Sequence, residues 1–157
     1  MADAYTVALT LLSARELSES QLRTRLKRRQ IDADDIDAAV SRLKADRTLN
    51  DRRVALAIAR MESVIKHRGR ARVIQKVRQA GIDGDTAEEA VREVFEEVDE
   101  QDLLERAFER RLRGRDRIED QREYARLFRY LLVQGFESDR IRQALGRLKP
   151  QTRGWSG

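Results

Sequence analysis

The sequence predicts an all-α fold, an elongated and curved array of three tandem three-helix repeats. Three observations lead there. Charged residues make up 39% of the chain and aromatics 5%, with a single proline, Pro150. That composition favours thin helical layers and lacks the punctuation that strands and tight turns require. Second, six apolar positions recur in register three times. With Ile31, Ile82 and Phe136 as anchors, the fifth residue after each is Ile36, Ala87 or Ile141, the ninth Val40, Val91 or Leu145, and the twelfth Leu43, Val94 or Leu148. The fifth before is Leu26, Val77 or Leu131, and the ninth before is Leu22, Val73 or Leu127. Third, the spacing of four on both sides of each anchor describes two amphipathic helices meeting at a tight corner.

Each element follows from local chemistry. Gly81 and Gly135 stand just before their anchors, as left-handed residues that end a helix, with the anchor plugging the corner. Gln30 replaces glycine in the first copy, so a different cap is expected there. Ser18-x-x-Gln21 and Thr86-x-x-Glu89 read as capping boxes, and Asn50-Asp51 as a helix cap. A further helix precedes each pair, with stripes at Tyr5, Ala8, Leu9 and Leu12, at Val54, Ala57, Ile58 and Met61, and at Leu104, Ala107, Phe108 and Leu112. Helices are therefore expected at 5–14, 18–29, 33–46, 51–67, 70–80, 86–98, 100–113, 120–134 and 138–148. They group into repeats at 1–49, 50–98 and 99–149, followed by a flexible tail at 150–157 in which Trp155 has either the last repeat or a partner to dock on. A unit of about 50 residues buries little by itself, so neighbours stack. The polar stretch Arg113–Arg117 around Gly114 is expected to be a hinge between the last two units.

Composition also narrows the function. Without cysteine there is no disulfide or thiolate chemistry. The lone histidine, His67, closes a basic helix and reads as a C-terminal cation, not as a base or ligand. The carboxylates between Asp83 and Asp102 read as helix-dipole partners and solvated faces, so no metal or other cofactor is expected. With no phosphate loop or nucleophile elbow, the chain reads as a non-enzyme. No stretch reaches the roughly 20 apolar residues of a membrane span, and the expectation is a cytoplasmic monomer.

The net charge is +5 and the sequence pI near 9.9. Positive charge gathers on second helices and negative charge on third helices. Arg68, Arg70, Arg72, Lys76 and Arg78 form an acid-free run and are the leading candidates for contact with an acidic partner; Arg23, Arg25 and Arg28 stand second. A third cluster runs from Arg110 to Arg117. The competing reading is intramolecular, basic helices neutralised by neighbouring acidic ones. Aromatic residues do not interleave with the arginines, so neither base stacking nor sequence readout is indicated.

The chain resembles the RecX regulators of the bacterial RecA recombinase from about Tyr5 to Lys149. The resemblance is carried by Ala14–Leu22 with Leu26, by Leu49-Asn50-Asp51 with Ala55, and by Arg68-Gly69-Arg70, Val73, Val77 and Gly81-Ile82. Leu17, Gln21, Asn50 and Val54 depart from residues common in the family. The resemblance implies negative regulation: binding to the RecA–single-stranded DNA filament and limiting its extension, ATP hydrolysis, strand exchange and co-protease activity, with at most weak binding to free single- or double-stranded DNA. The alternatives are a direct, non-sequence-specific DNA-binding protein and a generic helical-repeat adaptor.

Overall fold

Six helices begin where an oxygen-bearing side chain accepts a free N–H of the first turn. Asp3, Ser18, Asn50, Asp83, Asp99 and Asp120 each cap a helix in this way. Ser18 and Gln21 complete the expected reciprocal box. The box at Thr86 does not form: Asp83 is the cap, Thr86 donates to it, and the helix starts earlier. The computed structural model describes residues 3–150. Within them the helices are α1 Ala4–Ala14, α2 Glu19–Arg28, α3 Ala33–Ala45, α4 Asp51–Arg60, α5 Arg70–Gln79, α6 Gly84–Glu97, α7 Glu100–Leu112, α8 Gln121–Val133 and α9 Ser138–Gly146. They form an all-helical array of three tandem three-helix repeats. Strand structure among the described residues is one two-residue parallel pair, β1 Arg117–Ile118 with β2 Lys149–Pro150. No helix of the described residues is long and apolar enough to cross a membrane.

All three corners share one geometry. Gly81 (φ 77°), Gly135 (φ 99°) and Gln30 (φ 62°) are all left-handed. Ile31 N–H returns to Leu26 O at 3.3 Å and Phe136 N–H to Leu131 O at 3.2 Å, the same helix-ending bond in both copies. Gln30 thus uses the cap that glycine uses, against expectation, at the roughly 1–2 kcal/mol that a side chain pays in this conformation.

Of the 18 registered apolar residues, 16 are buried, and Ile31 and Leu148 are half-buried. The stripe assigned to the fourth helix needs correction. Val54, Ala55, Leu56 and Ala59 are buried, whereas Ala57 is exposed and Met61 is 55% exposed. α4 packs on both α5 and α6, so it buries a wider arc than a surface helix does. It then runs into a π-helical turn, Met61–Ile65, closed by Lys66 N–H to Met61 O at 3.1 Å. That extra residue per turn rotates Glu62 and Ser63 inward and Met61 outward.

The core falls into two clusters. Residues of the first unit form one around Leu17, Leu22, Leu26, Ile36, Val40 and Leu43. The second and third units share the other, which runs continuously from Val54 to Leu145. The expected hinge at Arg113–Arg117 lies inside the third unit, not between units. Ile118 is 1% exposed, Arg115 pairs with Glu123, and β1 holds β2.

The units meet at a joint that is built twice. Ser18, at the start of α2, donates its hydroxyl to Ala80 O beside the Gly81 corner. Gly69, thirteen residues before its anchor as Ser18 is before its own, donates N–H to Gln134 O (2.8 Å) beside the Gly135 corner. In both, the start of one unit's second helix seats on the next unit's corner. Arg53–Glu16 and Glu19 N–H to Asp51 (2.8 Å) reinforce the first joint.

Candidate nucleic-acid interface

The run Arg68–Arg78 does not form one patch, because the helix distributes it around its axis. Arg68 turns inward: its Nη1 lies 2.6 Å from Glu62 Oε2, and its side chain is 21% exposed. Glu62, 5% exposed, also takes Lys66 Nζ at 3.1 Å. Arg70 and Arg78 share one flank of α5, toward α6. There Arg70 lies over the Phe95 ring, 5.2 Å from its centre, and Arg78 pairs with Glu88 at 3.1 Å. Arg72 and Lys76, one turn apart, occupy the opposite flank. Arg72 hydrogen-bonds Gln75 Oε1 at 2.6 Å, and neither cation has a carboxylate partner.

The second-line residues also divide. Arg23 is held by Glu19 at 3.1 Å and Asp37 at 2.6 Å, and its pKa is raised chiefly by the Asp37 hydrogen bond. Glu19 is shared with Lys44 at 2.9 Å, and that hydrogen bond is the main cause of its lowered pKa. Arg25 and Arg28, by contrast, make no ion pair. The intramolecular reading of the charge clusters therefore fits Arg23, Arg68 and Arg78; Arg70 makes no ion pair but lies over Phe95, and Arg25, Arg28, Arg72 and Lys76 make none among the described residues.

The repeat register shows what these four have in common. Counting back 10, 7, 6 and 3 residues from each anchor selects one flank of each second helix, on which Gln21, Arg25, Arg72, Lys76 and Tyr130 are half-buried and the rest exposed. The first unit has Gln21, Thr24, Arg25 and Arg28 there, the second Arg72, Gln75, Lys76 and Gln79, and the third Arg126, Arg129, Tyr130 and Val133. Each flank carries two cations and no acid, and none of the six cations is ion-paired among the described residues. Arg126 comes nearest to a partner, as the smallest of the influences that lower the pKa of Glu123, the largest being the Arg115 hydrogen bond. Arg126 and Arg129 are absent from the basic runs singled out from sequence, because Glu119, Asp120 and Glu123 precede them in the chain. The register positions would have found them.

His67 is not the helix-end cation expected. It sits at φ 55° after the π turn, half-buried, with Nδ1 buried and without a hydrogen bond. Burial foremost, then Arg110 and Arg106, lower its pKa, so it is neutral at neutral pH. Among the described residues no three His, Cys, Asp or Glu side chains are grouped to hold a metal. Trp155 and the tail expected to be flexible lie, from residue 151 on, outside the described residues.

Residues 4–43 match the family described as "RecX, first three-helix domain", and residues 98–145 match "RecX, third three-helix domain". The regulatory protein RecX of Syntrophotalea carbinolica is 35% identical over 140 residues, spanning 87% of this chain and 90% of that protein. The chain belongs to the RecX family. The RecX regulatory protein of Trichlorobacter lovleyi is 30% identical over 145 residues, covering 90% and 92% of the two chains. The crystal structure of RecX from Lactobacillus salivarius superposes with a TM-score of 0.75 at 20% identity, over 92% of this chain and 94% of that one, and so shares the fold. A RecX-family chain is a regulatory protein by its relatives' names, and no enzyme class attaches to them.

Proposed function

We propose that this RecX-family protein is a negative regulator of the RecA recombinase in the cytoplasm. It binds the RecA–single-stranded DNA filament and limits its extension, and with it ATP hydrolysis, strand exchange and co-protease activity. The observation that carries this reading is the acid-free pair of cations on one flank of each second helix, repeated in register through three units. A filament is itself a repeating, phosphate-bearing object, and an array that presents charge at a repeating register suits it. Family membership supports the same reading through relatives named as regulatory proteins.

The test is RecA ATP hydrolysis on single-stranded DNA with the protein titrated from sub-stoichiometric levels, and binding to naked DNA measured in parallel. Suppression at protein levels far below those that coat the DNA is expected. Suppression only when the DNA is coated would favour the direct DNA-binding reading. No effect of saturating protein on the cognate recombinase would remove the proposal and leave a helical-repeat adaptor.

A further inference from the structure

We infer that the groove at the Gln30 corner of the first unit is a docking surface for a partner protein. It takes a segment that sets a lysine or arginine beside an apolar side chain. The inference rests on the filament reading for the identity of that partner, a recombinase subunit, and adds a surface of this chain that meets protein and not DNA.

The repeat shows which surface is left uncovered. At the second and third corners the start of the preceding unit's second helix sits on the corner residues. The carbonyl of Ala80 accepts from Ser18 and that of Gln134 from Gly69, and the anchors Ile82 and Phe136 are 5% and 3% exposed. The corresponding residues of the first unit, Arg29, Gln30 and Ile31, line a groove of about 930 Å³. Among the described residues no donor meets the Arg29 carbonyl, and Ile31 is half-buried. Half of the twelve residues lining the groove are apolar, Tyr5, Val7 and Ala38 among them, as at the centre of a protein interface.

Charge selects the occupant. Asp3, Asp32 and Asp35 line the groove against two arginines, in a chain of net charge +5. One of the two, Arg42, lies over the Tyr5 ring at 3.8 Å, and Asp32 and Asp35 make no ion pair among the described residues. Such a lining repels phosphate and draws a basic side chain. The third corner shows the same match within the chain. There the arriving segment Arg68–Arg72 is basic, and the unit it meets opens α7 with Glu100 and Asp102. A second copy of this chain does not fit, because the Gln30 side chain denies its helix start the close approach made at Gly81 and Gly135.

The chain has no cysteine, so Ala38→Cys supplies a single thiol for a benzophenone crosslinker in the groove. Glu96→Cys supplies the control on an exposed face of α6. The full chain is irradiated on cognate RecA–oligo-dT filaments. Crosslinks to the recombinase from position 38, in excess over position 96, are expected. D32K/D35K should weaken filament binding about tenfold. Because it adds positive charge, binding to naked oligo-dT should stay equal or tighten. Crosslinks from position 38 to the oligonucleotide, or to a second copy of the chain, would overturn the inference. So would a yield no higher than from position 96, or unchanged filament affinity in D32K/D35K. Suppression of ATP hydrolysis in the same reactions would then leave the filament reading standing. A parent protein that neither binds the filament nor suppresses hydrolysis would remove both. Circular dichroism of each variant confirms that the helices are intact.

Discussion

Gly69→Ala tests the close joint between the second and third units. Gly69 has φ −78°, so alanine meets no backbone strain there and the whole effect is steric. A Cβ at this position would stand 2.5 Å from both the carbonyl carbon and the oxygen of Gly135, and 2.8 Å from Phe136 N. These are backbone atoms and cannot swing aside. Ordinary contact begins near 3.5 Å, so the second and third units must part by about 1 Å. The Gly69 N–H to Gln134 O bond, 2.8 Å and buried, then stretches beyond useful length. A lost buried hydrogen bond costs about 1–3 kcal/mol and the forced repacking a similar amount, which gives about 2–6 kcal/mol together. Urea unfolding followed by circular dichroism should show the midpoint falling by roughly 1–2 M. Gly146→Ala is the control: no atom lies within 4 Å of its Cβ position, and alanine in a helix is neutral or slightly stabilising. If Gly69→Ala unfolds within about 0.3 M of the parent, a shift too small for either contribution, the close joint is not real.

Two further outcomes follow from the pairing and burial of single side chains. Arg68→Ala should act on stability more than on binding, because it strips the buried Glu62 of its 2.6 Å partner and leaves only Lys66. The expected loss is about 2–3 kcal/mol in urea unfolding, with affinity for oligo-dT retained under conditions where the variant is folded. Unchanged stability with lost DNA binding would return Arg68 to the interface. For His67, burial lowers the folded pKa below the ordinary 6.5. The unfolded chain then binds the proton first, so stability falls as pH drops through 6.5 toward the folded value. His67→Asn, which tolerates the left-handed backbone, should lose less thermal stability than the parent between about pH 7.5 and 5.5. Parallel pH curves for the two proteins would mean that the imidazole titrates freely.

The repeat was legible because burial in a thin helical layer leaves a strict trace. Leu22, Leu26, Ile36, Val40 and Leu43 recur as Val73, Val77, Ala87, Val91 and Val94, and that spacing locates corners and helices without further help. α4 was misread for a reason that spacing does not reveal. It lies between α5 and α6, and buries small residues, Ala55 and Ala59, that no amphipathic stripe selects. The π turn after it was equally hidden, as its backbone bond leaves no residue signature at Met61–Ile65. At the site, the basic runs identified the right helices but not the right flanks. Which arginines are neutralised depends on long-range partners, Arg23 with Asp37 and Arg78 with Glu88, that only folding brings together.

The same joint could not be repeated at the two outer positions of the array that correspond to it. A unit placed before the first would have to seat its second helix on the Gln30 corner. That corner holds the left-handed backbone of Gly81 and Gly135, but carries a side chain where they carry none. At Gly135 even a bare Cβ would collide with the backbone nitrogen of Arg72, so Gln30 closes the position. A unit placed after the third would have to receive the residue equivalent to Ser18 and Gly69, which is Glu123. There α8 starts a turn earlier, capped by Asp120, and Glu123 is occupied by Arg115 and by the backbone N–H of Glu119 at 2.7 Å. The first end is closed by a side chain and the last by an added helical turn. The joint built between the units therefore recurs at neither the Gln30 corner nor the start of α8.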